Sequence, residues 1–140
     1  MTPQEIEIVQ STFALVRSSA EQVAETFYGR LFETAPGVRT FFPDDLKPQG
    51  RKLMTMLATV VDGLENLGDL VPAVQDLGRR HIGYGTLPEH YDAVGAALLW
   101  TLEQGLGDAW TPEAKDGWTT AYTTLATVMK DAAEAASKAA

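Results

Sequence analysis

The amino-acid sequence predicts an all-α domain, and three observations carry that prediction. Apolar residues recur at helical spacing through every long segment. No run alternates with period two over a useful length. Thr-Pro starts and Gly or Pro stops divide the chain into segments of helical length. With 140 residues there is room for one domain, read here as 1–140.

Thr2-Pro3-Gln4-Glu5 reads as a helix start, with Thr2 capping, Pro3 at the first helical position and Glu5 completing a capping box. Ile6, Val9, Phe13 and Val16 follow on one face, and Ser18-Ser19 is a soft break. A second helix carries Val23, Phe27, Leu31 and Phe32 and should stop before Pro36. Residues 36 to 48, punctuated by Pro36, Gly37, Pro43 and Pro48, predict a short helical turn holding Phe41-Phe42 and then a loop. Both phenylalanines are expected in the core.

Leu53, Met56, Leu57, Val60, Val61 and Leu64 make an amphipathic helix of about four turns, which Glu65 to Asp69 should end. Leu70, Val74, Leu77 and His81 continue in a shorter helix, stopping at Gly83 or Gly85. Residues 89 to 105 form another, with Tyr91, Val94, Leu98 and Leu102 on one face and Gly105 and Gly107 as stops. Thr111-Pro112-Glu113 repeats the cap-plus-proline start, and Trp118, Tyr122, Leu125, Met129 and Ala132 mark a long last helix. Its Ala-rich end, from about 135 to 140, is expected to fray. The sum is about six main helices and a short one, too unequal in length for a simple up-down bundle.

Composition excludes several functions. Eleven Lys plus Arg against nineteen Asp plus Glu give a net charge of −8, so the chain repels nucleic-acid backbones and anionic lipid. With no Cys there is no disulfide framework, thiolate zinc site, iron–sulfur cluster, cysteine nucleophile or covalent haem attachment. The polar, acidic start is not a signal peptide, and no apolar run reaches the ~18 residues of a membrane span. A cytoplasmic protein is expected. Nucleophile elbows, P-loops, H-E-x-x-H and paired Glu-x-x-His motifs are all missing from the sequence.

His81 is the informative residue. It stands on an apolar stripe, where imidazole is costly unless a partner takes its nitrogens. One reading is a core histidine satisfied by a backbone carbonyl; the other is a ligand for an iron or haem held between helices. His90 reads as a solvated loop residue. Tyr28 lies towards the apolar face of its helix, where a buried hydroxyl needs a partner and an exposed one rests in water. Gln49 lies one turn before Leu53 on the same face, and taken alone it reads as a solvated first-turn residue.

In order along the chain, Phe27-Tyr28-x-x-Leu31-Phe32, Pro36-x-Val38-Arg39-x-x-Phe42, Gln49-x-x-Lys52-Leu53, Glu65-Asn66-Leu67, Leu70-x-Pro72-Ala73-Val74, Arg80-His81, His90-Tyr91-x-x-Val94-Gly95 and Trp118-x-x-x-Tyr122 resemble a globin. The pattern, over about residues 3 to 134, is that of the bacterial single-domain haemoglobins and the haem domain of flavohaemoglobins. The resemblance implies a three-on-three helical sandwich around a noncovalent haem b. It makes His81 the proximal iron ligand, Phe42 a haem-face aromatic, and Tyr28, Gln49 and Leu53 the distal pocket. Leu57, Leu77, Val94 and Leu98 would complete the cofactor pocket, Tyr91 would orient His81, and Arg80 and Lys52 would meet the propionates. The lineage places a glutamate in the last helix beside the proximal His and Tyr; counting from Trp118, that place falls at or beside Ala133. Glu134 is the nearest proximal support, one residue and therefore ~100° off, so no peroxidase-like electron push is rested on it.

Such a pocket binds O2, NO and CO. Tyrosine O–H and glutamine N–H donors stabilise the negative charge a bound diatomic acquires, which mainly slows oxygen release. Reversible oxygen binding and transport is the first expectation. The alternative is a nitric oxide dioxygenase, giving nitrate and ferric haem and served by a separate flavin-type reductase. A haem-based gas sensor or interaction module is the third.

Overall fold

The computed structural model describes residues 1–83 and 88–139, with the side chains of 82, 83, 88 and 137–139 left aside. Among the described residues there are six α-helices: α1 (Pro3–Arg17), α2 (Ala20–Thr34), α3 (Lys47–Asp62), α4 (Leu67–Gly83), α5 (Pro88–Leu106) and α6 (Pro112–Ala139). Short 3-10 segments occupy Pro36–Phe41, Leu64–Asn66 and Gly107–Ala109, and no strand is present among the described residues.

The ends follow local chemistry. The Thr2 hydroxyl accepts from the Glu5 N–H while the Glu5 carboxylate accepts from the Thr2 N–H, the capping box the sequence predicts. Thr111 caps α6 by accepting from the Ala114 N–H. Two boundaries differ from the sequence reading. Leu67 to Asp69 already belong to α4. Gly105 lies inside α5, and the stop falls at Gly107, whose φ of +54° is the left-handed conformation that glycine adopts without strain. The last helix, long as expected, runs to Ala139, because alanine is the strongest helix former. The expected stop at Gly85 and the Tyr84 between the two glycines lie outside the described residues.

Helix α4 packs along α6, α2 packs on α5 and α3, and α1 packs on α6 and α3. Phe13, Leu31, Leu102 and Val9 are fully buried, each worth about 1.5–3 kcal/mol of apolar burial. Between α1 and α6 the Trp118 indole donates to the Thr12 hydroxyl at 2.9 Å, and Trp118 lies 6.1 Å from the Phe13 ring. Apolar side chains form two clusters. The larger joins α1, α2, α3, α5 and the start of α6; the smaller, Val74, Tyr91, Ala126 and Met129, joins α4, α5 and α6. Tyr122 packs against both.

The approach of α4 to α6 depends on Gly78. A Cβ there would strike the backbone of Met129, which cannot swing aside as a side-chain tip can. Gly78→Ala is expected to cost about 2–3 kcal/mol by overpacking and to lower the melting temperature by about 10 °C. Thermal unfolding checks this, and an unchanged midpoint would mean the two helices do not meet here.

Candidate functional site

Tyr28 is almost wholly buried, at 4% exposure, so the rim position with its hydroxyl in water does not hold. Its ring stands 5.1 Å from Phe27, 5.8 Å from Phe32 and 5.5 Å from Phe42, centroid to centroid. This aromatic cage comes from α2 and from the end of the proline-rich segment. Arg39 builds that end. Its guanidinium lies 5.1 Å over the Phe32 ring and donates to the main-chain oxygens of Phe42, Pro43 and Asp44. The turn at residues 36 to 44 is thereby folded back onto α2.

The Tyr28 hydroxyl donates to the main-chain oxygen of Gln49 at 3.4 Å, the long end of hydrogen-bond range. Burial pushes its pKa up to about 12, against a smaller lowering by a hydrogen bond from the Gln49 side chain. The phenol is therefore a neutral donor. Gln49 is half-buried in the first turn of α3. It meets Tyr28 through its main-chain oxygen and also through its side chain. Leu57 and Leu98 are buried in the same cluster, and Phe42, Leu53 and Val94 pack against it while remaining half-exposed.

His81 lies near the end of α4, half-buried. Its Nδ1 is 2.7 Å from the main-chain oxygen of Leu77, one turn earlier. With Nδ1–H donating to that oxygen, the lone pair resides on Nε2. Leu77 packs against the smaller cluster. The His81 ring lies 6.4 Å from that of Tyr91, which is buried, and burial raises the Tyr91 phenol. Tyr122 donates from its hydroxyl to the Tyr91 main-chain oxygen at 2.6 Å. Desolvation, then the nearby Tyr91 and Asp92, push the Tyr122 phenol far up, so it too stays a donor. Gly95 lets this happen, since a Cβ there would come within 2.6 Å of the Tyr122 ring. A glycine inside a helical pattern was the available signal for such a close passage.

Arg80 and Lys52 are exposed, and Arg80 pairs with Asp76 at 3.2 Å. Glu134 is exposed on α6, one position beyond half-buried Ala133. Two expectations need correction. His90 is in the first turn of α5 and half-buried, not in a loop. Phe41 is 45% exposed rather than in the core. The two rings meet edge-on at 5.2 Å, because only one face of the short turn is turned inward, and Phe42 takes it.

The site thus has two walls. Tyr28, Phe42, Gln49, Leu53, Leu57, Val94 and Leu98 belong to the larger cluster or touch it; Leu77, His81 and Tyr91 belong to the smaller cluster or touch it. An apolar cavity of about 90 Å³ lies elsewhere, between Val60, Leu64, Val74, Leu125 and Val128. Among the described residues no group of three or more His, Asp or Glu could hold a metal. No helix among these residues is long and apolar enough to cross a membrane.

A family model described as Globin matches residues 25–129. The chain is 33% identical over 134 residues to a flavohemoprotein of Vibrio cholerae, covering 94% of this chain and 34% of that protein. It is 32% identical to a flavohemoprotein of Bacillus subtilis, covering 86% of this chain and 31% of that one. The chain therefore spans about a third of the length of these relatives. A bacterial globin from Campylobacter jejuni superposes with a TM-score of 0.84 at 22% identity, covering 98% of this chain and 99% of that one. That likeness bears out the expected three-on-three helical fold.

Proposed function

We propose, from the premise that this chain belongs to the globin family, that it holds a noncovalent haem b and binds oxygen reversibly, with residues 1–140 as one domain of a cytoplasmic protein. The observation that carries the reading is the His81 ring, with Nδ1 on the Leu77 carbonyl and its lone pair on Nε2. Iron-ligating histidines are oriented in this way by an outer partner. A merely structural histidine bonds to a carbonyl as well, but His81 is only half-buried and belongs to a family that binds haem.

The residues fit a flat apolar macrocycle. Phe42, Leu53, Leu77 and Val94 are apolar yet half-exposed, and covering such surface gains about 25 cal/mol per Å². The His81 imidazole suits a metal that brings its other ligands. Haem, when bound, supplies the iron at which O2, CO or NO is taken up. His81 would be its protein ligand and Tyr91 would steady His81. Leu57, Leu77, Val94 and Leu98 would line the pocket, Arg80 and Lys52 would meet the propionates, and Glu134 would give outer support on the proximal side. The Tyr28 hydroxyl, held weakly at 3.4 Å, can turn to a stronger, negatively polarised acceptor, with the Gln49 amide as second donor.

Likeness to flavohemoproteins favours a second reading, conversion of NO and O2 to nitrate. Each turnover then consumes one electron, which a separate reductase would return. Repeated turnover with a flavin-type reductase distinguishes it from a single stoichiometric reaction.

Absorption spectra of the ferric, dithionite-reduced and CO-treated protein test the main reading. A haem spectrum that shifts with CO is expected. A chain that stays colourless when haem is offered refutes it.

A further inference from the structure

Lys130 is half-buried on α6, and its Nζ lies 5.8 Å from the centroid of the Tyr91 ring, inside the range of a cation–π contact. The same ring is 6.4 Å from that of His81. The placement is built into the backbone. Met129, the preceding residue, is the one whose main chain presses on Gly78, and Gly78 is three positions before His81 on α4. Tyr91 is pinned in turn by the Tyr122 hydroxyl bond. The close packing of α4 and α6 therefore sets a fixed positive charge on the His81 side of the site. Ala133, further along α6, contributes no charge, and the Glu134 carboxylate beyond it is exposed, where solvent and salt screen it more than they screen half-buried Lys130.

We propose that Lys130, seated over Tyr91, is a redox-positioning residue whose cation favours ferrous over ferric iron at His81. The inference rests on the haem reading above. Ferric iron carries one more positive charge than ferrous, and a nearby cation in a partly buried, low-dielectric setting penalises the extra charge. Lys130 thus favours the oxidation state that takes up oxygen, and slows loss of an electron to it. It also opposes the electron-rich proximal histidine that peroxide chemistry needs.

The test is spectroelectrochemical titration of the haem-loaded protein and its Lys130→Arg, Lys130→Met and Lys130→Glu variants. At the potential where the wild type is half-reduced, Lys130→Met is expected to show a ferric-to-ferrous ratio several-fold higher. Lys130→Glu should shift it further, to roughly tenfold or more, where tenfold is about 59 mV for a one-electron couple. Lys130→Arg should match the wild type. A graded response to charge is not produced by packing, because Met and Glu are similar in length. Four coincident curves overturn the proposal and leave the haem reading standing, as does a Met shift that Glu does not extend. Failure of the wild type to take up haem overturns both.

Discussion

Tyr28→Phe is expected to speed oxygen dissociation by about ten- to a hundredfold, since a hydrogen bond to a charged acceptor is worth about 1.5–3 kcal/mol. The substitution removes one hydroxyl and retains the ring that packs on Phe27, Phe32 and Phe42. Little stability goes with it, because the bond lost from the folded protein is the 3.4 Å one to Gln49. Association, which does not need the donor, should change far less, so the effect falls on the off-rate in stopped-flow displacement by CO. An unchanged off-rate would falsify the donor role of Tyr28 without touching haem binding. The pH dependence gives an independent check. Folding raises the Tyr28 pKa from 10.0 to about 12, so the hydroxyl is a donor throughout the neutral and mildly alkaline range. The Tyr28 contribution to the off-rate should be flat there. The unfolded chain releases this proton near 10.0 and the folded one near 12. The corresponding stability is complete below the lower value and is lost as pH rises through the window between them.

The two walls of the site were not equally legible in the sequence. His81 could be read because one polar residue interrupts an apolar stripe, and periodicity says which face it shares. Tyr28 and Phe42 could be read from their neighbours in an ordered pattern along the chain. What the Tyr28 hydroxyl donates to could not: its acceptor is the main-chain oxygen of Gln49, and backbone groups leave no signature in residue spacing. Arg39 was hidden for the same reason, since its three acceptors are carbonyl oxygens. The glycines divide by context. Gly107 terminates a helix through its positive φ, whereas Gly105, two residues earlier, continues one. Gly78 and Gly95 are there for what they leave out, a Cβ where Met129 and Tyr122 pass. Lys130 escaped because a lysine on a helix normally points to water, and only the packed position of Tyr91 places a ring beneath it.

His81→Gly is expected to weaken haem retention by more than about 100-fold, beyond the 10–100-fold lost when only an outer partner of a metal ligand is removed. The helix should survive. Gly within a helix costs about 1 kcal/mol relative to Ala, and His81 is near the C-terminal end of α4, whose hold on α6 runs through Gly78 and Met129. Far-UV circular dichroism should therefore stay close to that of the wild type. The vacated volume is the size of an imidazole ring, so added imidazole should enter, coordinate and restore the reduced and CO-bound spectra. This rescue separates the two readings that a half-buried histidine bonded to its own helix permits. A structural His81 predicts lower stability, unaltered spectra and no response to imidazole. A ligand predicts a folded, haem-poor protein that regains its spectrum when the missing ring is supplied from solution.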